Sequence, residues 1–419
     1  VVPYHLRSEA PPFAWPALFP EAFRRDEPAD IAYESGDFGK TVDGEERVAS
    51  GTQLRTVLGK TPAAQPAGAQ DHGTLRTTNR ATLRLADREA LRGGAAELLR
   101  KAADNTIWRQ RECLNMIPSE MTQSPAARLL QVMDPAFRYA EHRKMKAFEE
   151  AEVFYYQGTG FIDEVETLLA EQMGQYLGCP HVETRAVSGQ MANMAVFSAM
   201  VDFINRTDRK REPRRLRSVM NNHIIRGGHL SAQPMGALRD FVSRDPVTER
   251  PAVVNFPVYP DNPYRINVEE TARLIEENKP ELIILGKSMI IHREPVAEVR
   301  AAVNAFSPDT VIMYDMAHVL GLIGPMFQEP FMEGADLVTG STHKTFFGTQ
   351  RGVIGGAMRR EDRMWPLWEA VERRVFPGSV SNHHLGTLLG LLIAVYEMNY
   401  FKEEYQRQVI LNAKTLAKA

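Results

Sequence analysis

Two short stretches, VIMYDMAH at 311–318 and LVTGSTHK at 337–344, decide how this chain folds. Each begins with apolar residues that are typical of a buried strand and ends in polar, chemically reactive side chains. Around them, helical patterns alternate with other short apolar runs. This alternation predicts an α/β fold in three layers, with a mostly parallel sheet covered by helices on both faces.

The alternation continues on both sides of these stretches. Helices are predicted at 87–109, 163–177, 268–279 and 296–306, and strands at 282–285, 311–314 and 337–339. In such sheets, ligands bind beyond the carboxyl ends of the strands. The residues that directly follow a predicted strand are therefore the candidate site residues.

Asp315 and Lys344 each follow a predicted strand, so we expect them to meet at one edge of the sheet. Alone, Lys344 would most simply be a solvated lysine and Asp315 a helix cap. Together they suit pyridoxal phosphate, which forms a Schiff base with a lysine and needs a carboxylate at its ring nitrogen to act as an electron sink. The phosphate needs N–H and hydroxyl donors, which Ser188, Gly189 and Gln190 provide at the start of an apolar helix.

Composition excludes several other classes of protein. The 419 residues are 43% hydrophobic and 25% charged, which is typical of a folded chain. The 50 basic and 53 acidic side chains nearly balance, so no overall charge favours nucleic acid or a membrane. Two cysteines suit a reducing compartment, and we predict a cytoplasmic location. The longest apolar run, 385–396, is shorter than the roughly 20 residues that a membrane span needs.

Residues 1–86 differ from the rest of the chain. They are rich in Pro, Gly, Ala and Thr and show no sustained period. We predict an extended arm with a short helix near 16–23, followed by a flexible linker around 60–78. The arm either wraps a partner subunit or forms a surface extension.

From about residue 87 onward the chain resembles serine hydroxymethyltransferase and its relatives, the fold type I pyridoxal-phosphate enzymes. The matching segments are SEMTQSP at 119–125, YAE at 139–141, YYQGTGFIDEVE at 155–166, SGQMANMAV at 188–196, RGGHL at 226–230, DMAHVLGLI at 315–323 and STHKTFFGTQRGV at 341–353. The resemblance implies an aspartate-aminotransferase-like large domain with a mostly parallel, seven-stranded sheet. That domain would cover 87–380, and 381–419 would lead into a small C-terminal domain that is mostly absent.

The resemblance also implies a role for each matching residue. Lys344 would form the Schiff base, Asp315 would contact the pyridine nitrogen, and His229 would stack on the ring. The implied catalytic residues are Lys344, Glu141, Tyr155, His229 and Asp315. The implied cofactor contacts are Lys344, Asp315, His318, His229, Ser188, Gly189, Gln190, Ser288, His343 and Thr342. The implied substrate contacts are Ser119, Tyr139, Glu141, Tyr155, Tyr156 and Arg351.

Two of these residues, Tyr139 and Glu141, would come from the neighbouring subunit, and Glu141 would be the acid/base for the substrate's β-hydroxyl. The implied unit is therefore a homodimer with shared active sites. The implied substrates are small molecules, an amino acid and an aldehyde.

Four segments depart from the family pattern. Gln190 replaces a serine of the phosphate turn, and HRKMKAFEEAEVF at 142–154 is longer than the family's usual link. GKSMIIHREP at 286–295 would bring Lys287 and Arg293 near the substrate, and VSNHH at 380–384 replaces a QGGP turn. These changes surround the substrate and folate region and leave the cofactor core intact, which favours a relative with a different acceptor.

We therefore favour a threonine transaldolase, which converts threonine and an aldehyde into a new β-hydroxy amino acid and acetaldehyde without folate. The alternative is a serine/glycine hydroxymethyltransferase that uses tetrahydrofolate.

An alternative hypothesis from another functional class is a non-catalytic scaffold or an RNA-binding pseudoenzyme. RTDRKREPRRLR at 206–217 has seven basic residues, which could contact phosphates. The run has no aromatic residue, so a solvated loop is the preferred interpretation and we expect no nucleic-acid partner. We also expect no metal site, because the adjacent His383 and His384 cannot face one ion from a regular helix.

Overall fold

The computed structural model describes residues 88–145, 151–208 and 210–419. The predicted arm and linker at 1–86 lie outside these residues. A boundary between residues 115 and 116 divides the chain into two compact units. The first contains helix α1 (Arg88–Ile107), which confirms the predicted helix, and the π-helical turn Trp108–Glu112.

The second unit contains the alternating strands and helices. Its α-helices, as described, are α2 (Pro125–Leu130), α3 (Gly160–Leu177), α4 (Gly189–Ile204), α5 (Val268–Asn278), α6 (Val296–Phe306), α7 (Trp365–Val375) and α8 (Leu385–Lys418). Its strands are β1 (His142–Met145), β2 (Ala151–Phe154), β3 (His181–Glu183), β4 (Val219–Asn221), β5 (Val253–Asn255), β6 (Val258–Tyr259), β7 (Asn262–Ile266), β8 (Leu282–Leu285), β9 (Val311–Asp315), β10 (Leu337–Ser341) and β11 (Gly352–Gly356).

Seven of these strands form the main sheet, in the order β3-β11-β10-β9-β8-β4-β5. The five strands from β10 to β5 run parallel, and β11 is antiparallel to both of its neighbours. The mostly parallel, seven-stranded sheet is confirmed. β1 pairs with β2, and β6 with β7, in two separate antiparallel pairs.

Both faces of the sheet are covered by helices, as β8 illustrates. Its four residues are buried, and successive side chains point to opposite faces. Ile283 and Leu285 join a core that includes side chains of α3, α5, α6 and α8. Leu282 and Ile284 join a second core with α4 and α7. The sheet is therefore the middle of three layers, as predicted.

Most element boundaries fall close to the predicted ones. Strand β8 and helix α6 have the predicted bounds, and α3 ends at Gly178, which takes the left-handed conformation (φ 72°). β9 and β10 each run beyond the predicted end, to Asp315 and Ser341. None of the described helices is long and apolar enough to cross a bilayer.

Gly286 holds the end of β8 against the end of β9. Its φ is +128°, and a Cβ there would lie 2.1 Å from the carbonyl oxygen of Asp315. The backbones can approach this closely only without a side chain. Gly286 thereby fixes the position of Asp315 at the edge of the sheet.

We expect Gly286→Ala to lower the free energy of unfolding by more than about 3 kcal/mol, because it adds backbone strain to a direct clash. Gly178→Ala is the matched control. Its φ is also positive, but in the described structure a Cβ would meet open space, so we expect a loss of about 1 kcal/mol. Urea unfolding of the two variants tests this. Equal losses would show that the Asp315 contact does not constrain the chain.

Candidate active site

Lys344 follows β10 and lies half-buried at the carboxyl edge of the sheet. Its Nζ is 3.2 Å from Nε2 of His318. Burial lowers the pKa of Lys344, although the charge of Asp315 opposes this. Burial and the neighbouring Lys344 lower the pKa of His318 to about 3. His318 is therefore neutral, and burial shifts Lys344 toward the uncharged form of the amine, which is the nucleophilic one.

Asp315 is the last residue of β9 and only 2% exposed. Its Oδ2 lies 2.6 Å from Nδ1 of His229 and accepts a 2.9 Å bond from Asn193, while Oδ1 accepts from the Ala317 N–H. Burial alone would raise the pKa of Asp315, but the charge and hydrogen bond of His229, with the other donors, hold it below the ordinary value. Asp315 is thus a buried carboxylate that stays ionised.

Asn193 completes this arrangement, and the sequence reasoning assigned it no role. It is a buried residue of α4, whose amide also donates to Ser231 Oγ (2.9 Å) and accepts from Thr339 Oγ1 (2.6 Å). The amide therefore orients the Asp315 carboxylate from one side. In the sequence, its role is indicated only by a polar side chain among the buried apolar positions of α4.

The N-terminus of α4 lies at the same edge. Ser188 caps it, with Oγ accepting from the Met191 N–H (3.1 Å). A Cβ on Gly189 would lie 2.1 Å from Oγ of Ser341, so the helix start touches the end of β10. The first N–H groups of a helix have no intrahelical acceptor and suit an anion. Gln190, next along, is exposed.

His343 supplies a further polar atom beside Lys344. Its Nδ1 is buried and has no hydrogen-bond partner among the described residues. Burial lowers the pKa of His343, so the ring is neutral. A buried nitrogen without a hydrogen-bond partner among the described residues suits an oxygen of a bound ligand.

Half-buried Ser288 lies beyond β8, and its N–H donates to Gly227 O (2.7 Å).

These residues fit pyridoxal phosphate. A half-buried amine whose pKa is lowered, an ionised carboxylate and a helix N-terminus lie at one edge of the sheet. Beside them, the rings of His229 and His318 lie 5.2 Å apart, edge to face.

Two predicted ligand contacts, Thr342 and Arg351, are fully buried, and their roles stay predictions. The Thr342 hydroxyl donates to the carbonyl of Thr349 (2.6 Å). The Arg351 guanidinium donates to the carbonyls of Thr184 and His383. Both residues stabilise the turn that follows Lys344.

Lys287, which is expected near the substrate, contacts other groups of the chain, and its predicted role stays a prediction. Lys287 is 3% exposed and forms a 2.7 Å ion pair with Glu294, which is buried as well. Its Nζ also donates to the carbonyl of Tyr264 (2.9 Å). Arg293 is exposed, and its predicted role stays a prediction.

The predicted substrate residues near the β1–β2 pair form a second group. Tyr156 donates to Oε2 of Glu141 (3.2 Å), and its ring lies 5.9 Å from that of Tyr139, edge to face. The Tyr155 N–H donates to the Glu141 carbonyl (3.0 Å). All three tyrosines are about half exposed. Ser119 is half-buried in a turn before α2, and its role stays a prediction.

The three-layer fold with a mostly parallel, seven-stranded sheet is that of the fold type I class of pyridoxal-phosphate enzymes. Within this class, the serine hydroxymethyltransferase family model matches residues 95–419. A serine hydroxymethyltransferase from Archaeoglobus fulgidus is 37% identical over 310 residues, which cover 73% of this chain and 62% of that protein. One from Staphylothermus marinus is 36% identical over 324 residues, covering 77% and 66%. The chain therefore belongs to the serine hydroxymethyltransferase family, and it spans about two thirds of the length of these relatives.

A solved structure of L-threonine transaldolase from Pseudomonas fluorescens matches with a TM-score of 0.65. The match covers 79% of this chain and 68% of that one, at 22% sequence identity. At this identity the similarity shows a shared fold.

We expect Asn193→Ala to destabilise the cofactor-free protein by about 1–3 kcal/mol, because Asp315 loses a donor and Thr339 loses its acceptor. Met194→Ala, at a 43%-exposed position next along the same helix, should change stability by about 0.5 kcal/mol or less. Urea unfolding without cofactor measures both. If the two variants unfold alike, Asn193 does not support the carboxylate.

Proposed function

We propose that this protein is a pyridoxal-phosphate-dependent transferase that acts on β-hydroxy-α-amino acids, and that it is a threonine transaldolase. The observation that carries the proposal is the pairing of Lys344, whose pKa is lowered by burial, with the ionised Asp315 at one sheet edge. Family membership supports the same chemistry.

The chain's own residues would hold the cofactor from three sides. Lys344 would bind its aldehyde carbon, Asp315 would accept the N–H of its ring, and the start of α4 at Ser188 and Gly189 would hold its phosphate. When bound, the cofactor supplies an electron sink for the electron pair of the broken Cα–Cβ bond.

Proton transfer at the β-hydroxyl would fall to Glu141. Its carboxylate would accept the hydroxyl proton as the Cα–Cβ bond of threonine breaks, and acetaldehyde would leave. After a second aldehyde adds, Glu141 would return the proton to the new alkoxide. Tyr156, which donates to Glu141, would orient the carboxylate. One of Tyr139, Tyr155 and Tyr156 would contact the substrate.

Exposed apolar residues near this group support a homodimer. Ile117, Leu129, Val132 and Phe137 are 44%, 57%, 68% and 72% exposed. Apolar side chains clustered in one segment favour burial against a partner. A second copy of the chain would cover them and carry Tyr139 and Glu141 toward its neighbour's lysine.

The second candidate is a folate-using hydroxymethyltransferase, which the curated relatives' names favour. The β1–β2 pair favours the transaldolase, because it stands where the resembled family has a short link, beside the substrate residues. The RNA-binding alternative has less support. In the described part of the basic run, Arg211 and Arg214 are paired with Asp208 and Glu281.

Lys344→Ala should abolish the visible absorption band that the purified protein develops with pyridoxal phosphate, because no amine remains to bind the aldehyde. Borohydride reduction and peptide mass spectrometry should place the cofactor on Lys344 in the unmodified protein. Lys210→Ala, at an exposed lysine, should leave the band intact. Labelling spread over several lysines in the unmodified protein would contradict the assignment.

Threonine and an aromatic aldehyde, without folate, should yield acetaldehyde and a new amino acid. Glu141→Gln should lower this rate by about 10²–10⁴, since the proton acceptor is lost, and should leave the cofactor band unchanged. Acetaldehyde is followed with a coupled dehydrogenase. Turnover of serine that requires tetrahydrofolate, with no acetaldehyde from threonine, would favour the hydroxymethyltransferase.

A further inference from the structure

A chain of polar contacts crosses the interior of the second unit. Glu152 Oε2 lies 2.7 Å from Nδ1 of His142, whose Nε2 lies 2.8 Å from Oε2 of Glu166. The other oxygen of Glu166 is 2.6 Å from Nε2 of His383. The Nδ1 of His383 is in turn 2.9 Å from the guanidinium of Arg351. The two histidines are 3% and 1% exposed.

Hydrogen-bonding rules fix the proton positions along this chain of contacts. Arg351 can only donate, so Nδ1 of His383 accepts and its Nε2–H donates to Glu166. Burial lowers the pKa of His383, in keeping with a neutral ring. Burial would also lower the pKa of His142, but Glu152 and Glu166 overcome this and raise it to about 9. His142 is therefore a buried imidazolium that donates to two carboxylates.

Glu166 lies at the centre of this chain of contacts, which runs through Glu152, His142, Glu166, His383 and Arg351 and is called the assembly below. Burial would raise its pKa, but the hydrogen bonds from His142 and His383 lower it to about 2. Each of its oxygens accepts from one of the two histidines. The carboxylate therefore joins β1, which carries His142, to the turn before α8, which carries His383.

The ring of His142 also packs against two aromatic side chains. It lies 4.5 Å from the ring of Phe154 and 4.9 Å from that of Phe376. A cationic ring packed against aromatic rings is further stabilised. The β1–β2 pair is thus anchored by two ionic contacts and by ring packing.

Both histidines belong to segments whose sequence departs from the usual serine hydroxymethyltransferase pattern. His142 opens the long 142–154 segment, and His383 lies in the VSNHH turn at 380–384. The two departures meet at Glu166. If one histidine were lost, an oxygen of a buried carboxylate would lose its donor, which is costly. The two segments therefore share one buried carboxylate.

The anchored strands carry the proposed acid/base group. Glu141 directly precedes His142, and Tyr155 and Tyr156 directly follow Phe154. At the other end of the assembly, the N–H of Arg351 donates to the hydroxyl of Thr342 (3.0 Å), two residues before Lys344. The contacts therefore link the backbone that carries Glu141 to the Lys344 loop of the same chain, while in the proposed homodimer this Glu141 serves the lysine of the neighbouring subunit.

We propose that His142, Glu166 and His383 are positioning residues that hold Glu141 and Tyr156 in place for proton transfer at the substrate's β-hydroxyl. This inference rests on the proposed function. It adds a specific role for the two segments that set this chain apart from the family pattern.

The test compares His142→Gln, Glu166→Gln and the double variant with His181→Gln. His181 is the control, because its ring also packs against two aromatic rings, those of Trp365 (5.0 Å) and Trp368 (5.6 Å). Three quantities are measured: the cofactor band, kcat and KM for threonine, and amide hydrogen exchange of peptides that span 139–156.

Each single variant should keep the cofactor band and the KM for threonine, and lower kcat by about 10–100-fold, as removal of a supporting hydrogen bond commonly does. Exchange in 139–156 should become at least about tenfold faster. The double variant should be little worse than either single one, because the two residues act as a unit. His181→Gln should match the unmodified protein in all three measurements.

Unchanged exchange and unchanged kcat in both single variants would overturn the proposal, as would faster exchange with an unchanged kcat. If the unmodified protein turns over neither threonine nor serine, the proposed function fails, and with it the catalytic role. The hydrogen-exchange data would then still show whether His142 and Glu166 hold the β1–β2 pair in place. Should Glu166→Gln not fold, Glu152→Gln, at the 31%-exposed end of the assembly, should show smaller changes in the same direction.

Discussion

The site depends on keeping one carboxylate charged in the interior of the protein. Asp315 sits at the end of a central strand, where burial favours its neutral form. Three donors, His229, Asn193 and the Ala317 N–H, overcome that tendency. Each donor requires a different element to be in place. The register of β9 and β10, the close approach at Gly286 and the docking of α4 therefore all serve this carboxylate, and the proposed electron sink requires it.

Much of the fold follows from apolar periodicity. The four residues of β8 are apolar and buried, so its bounds could be predicted, and the glycine after α3 marked the end of that helix. The β1–β2 pair could not be predicted, because its buried residue is a histidine held by carboxylates. Periodicity reports apolar burial, and it gives no signal where ionic contacts hold a segment.

The candidate site was predictable only in part, for a related reason. Asp315 and Lys344 could be predicted because they lie at the ends of predicted strands. The carboxyl ends of parallel strands meet at one edge of the sheet, and this does not depend on the conformation of the loops. The sequence could not show whether a buried charge faces a ligand or another protein group. Arg351 and Lys287 both contact other residues of this chain. Arg351 donates to the carbonyl of Thr184, 167 residues away in the sequence, and Lys287 forms an ion pair with Glu294. Asn193 was overlooked because its partner Asp315 lies 122 residues away.

The buried ionic assembly of His142, Glu166 and His383 is better explained by orientation than by stability. Apolar side chains of similar volume would stabilise such a site at least as well, because buried ions lose their hydration. Apolar packing is non-directional, however, whereas each oxygen of Glu166 accepts from one ring nitrogen in a defined direction. In the proposed mechanism Glu141 receives a proton from one hydroxyl, and that role would need such a directional restraint. The contacts of Glu166 with His142 and His383 would supply it to the β1–β2 pair, which Glu141 directly precedes.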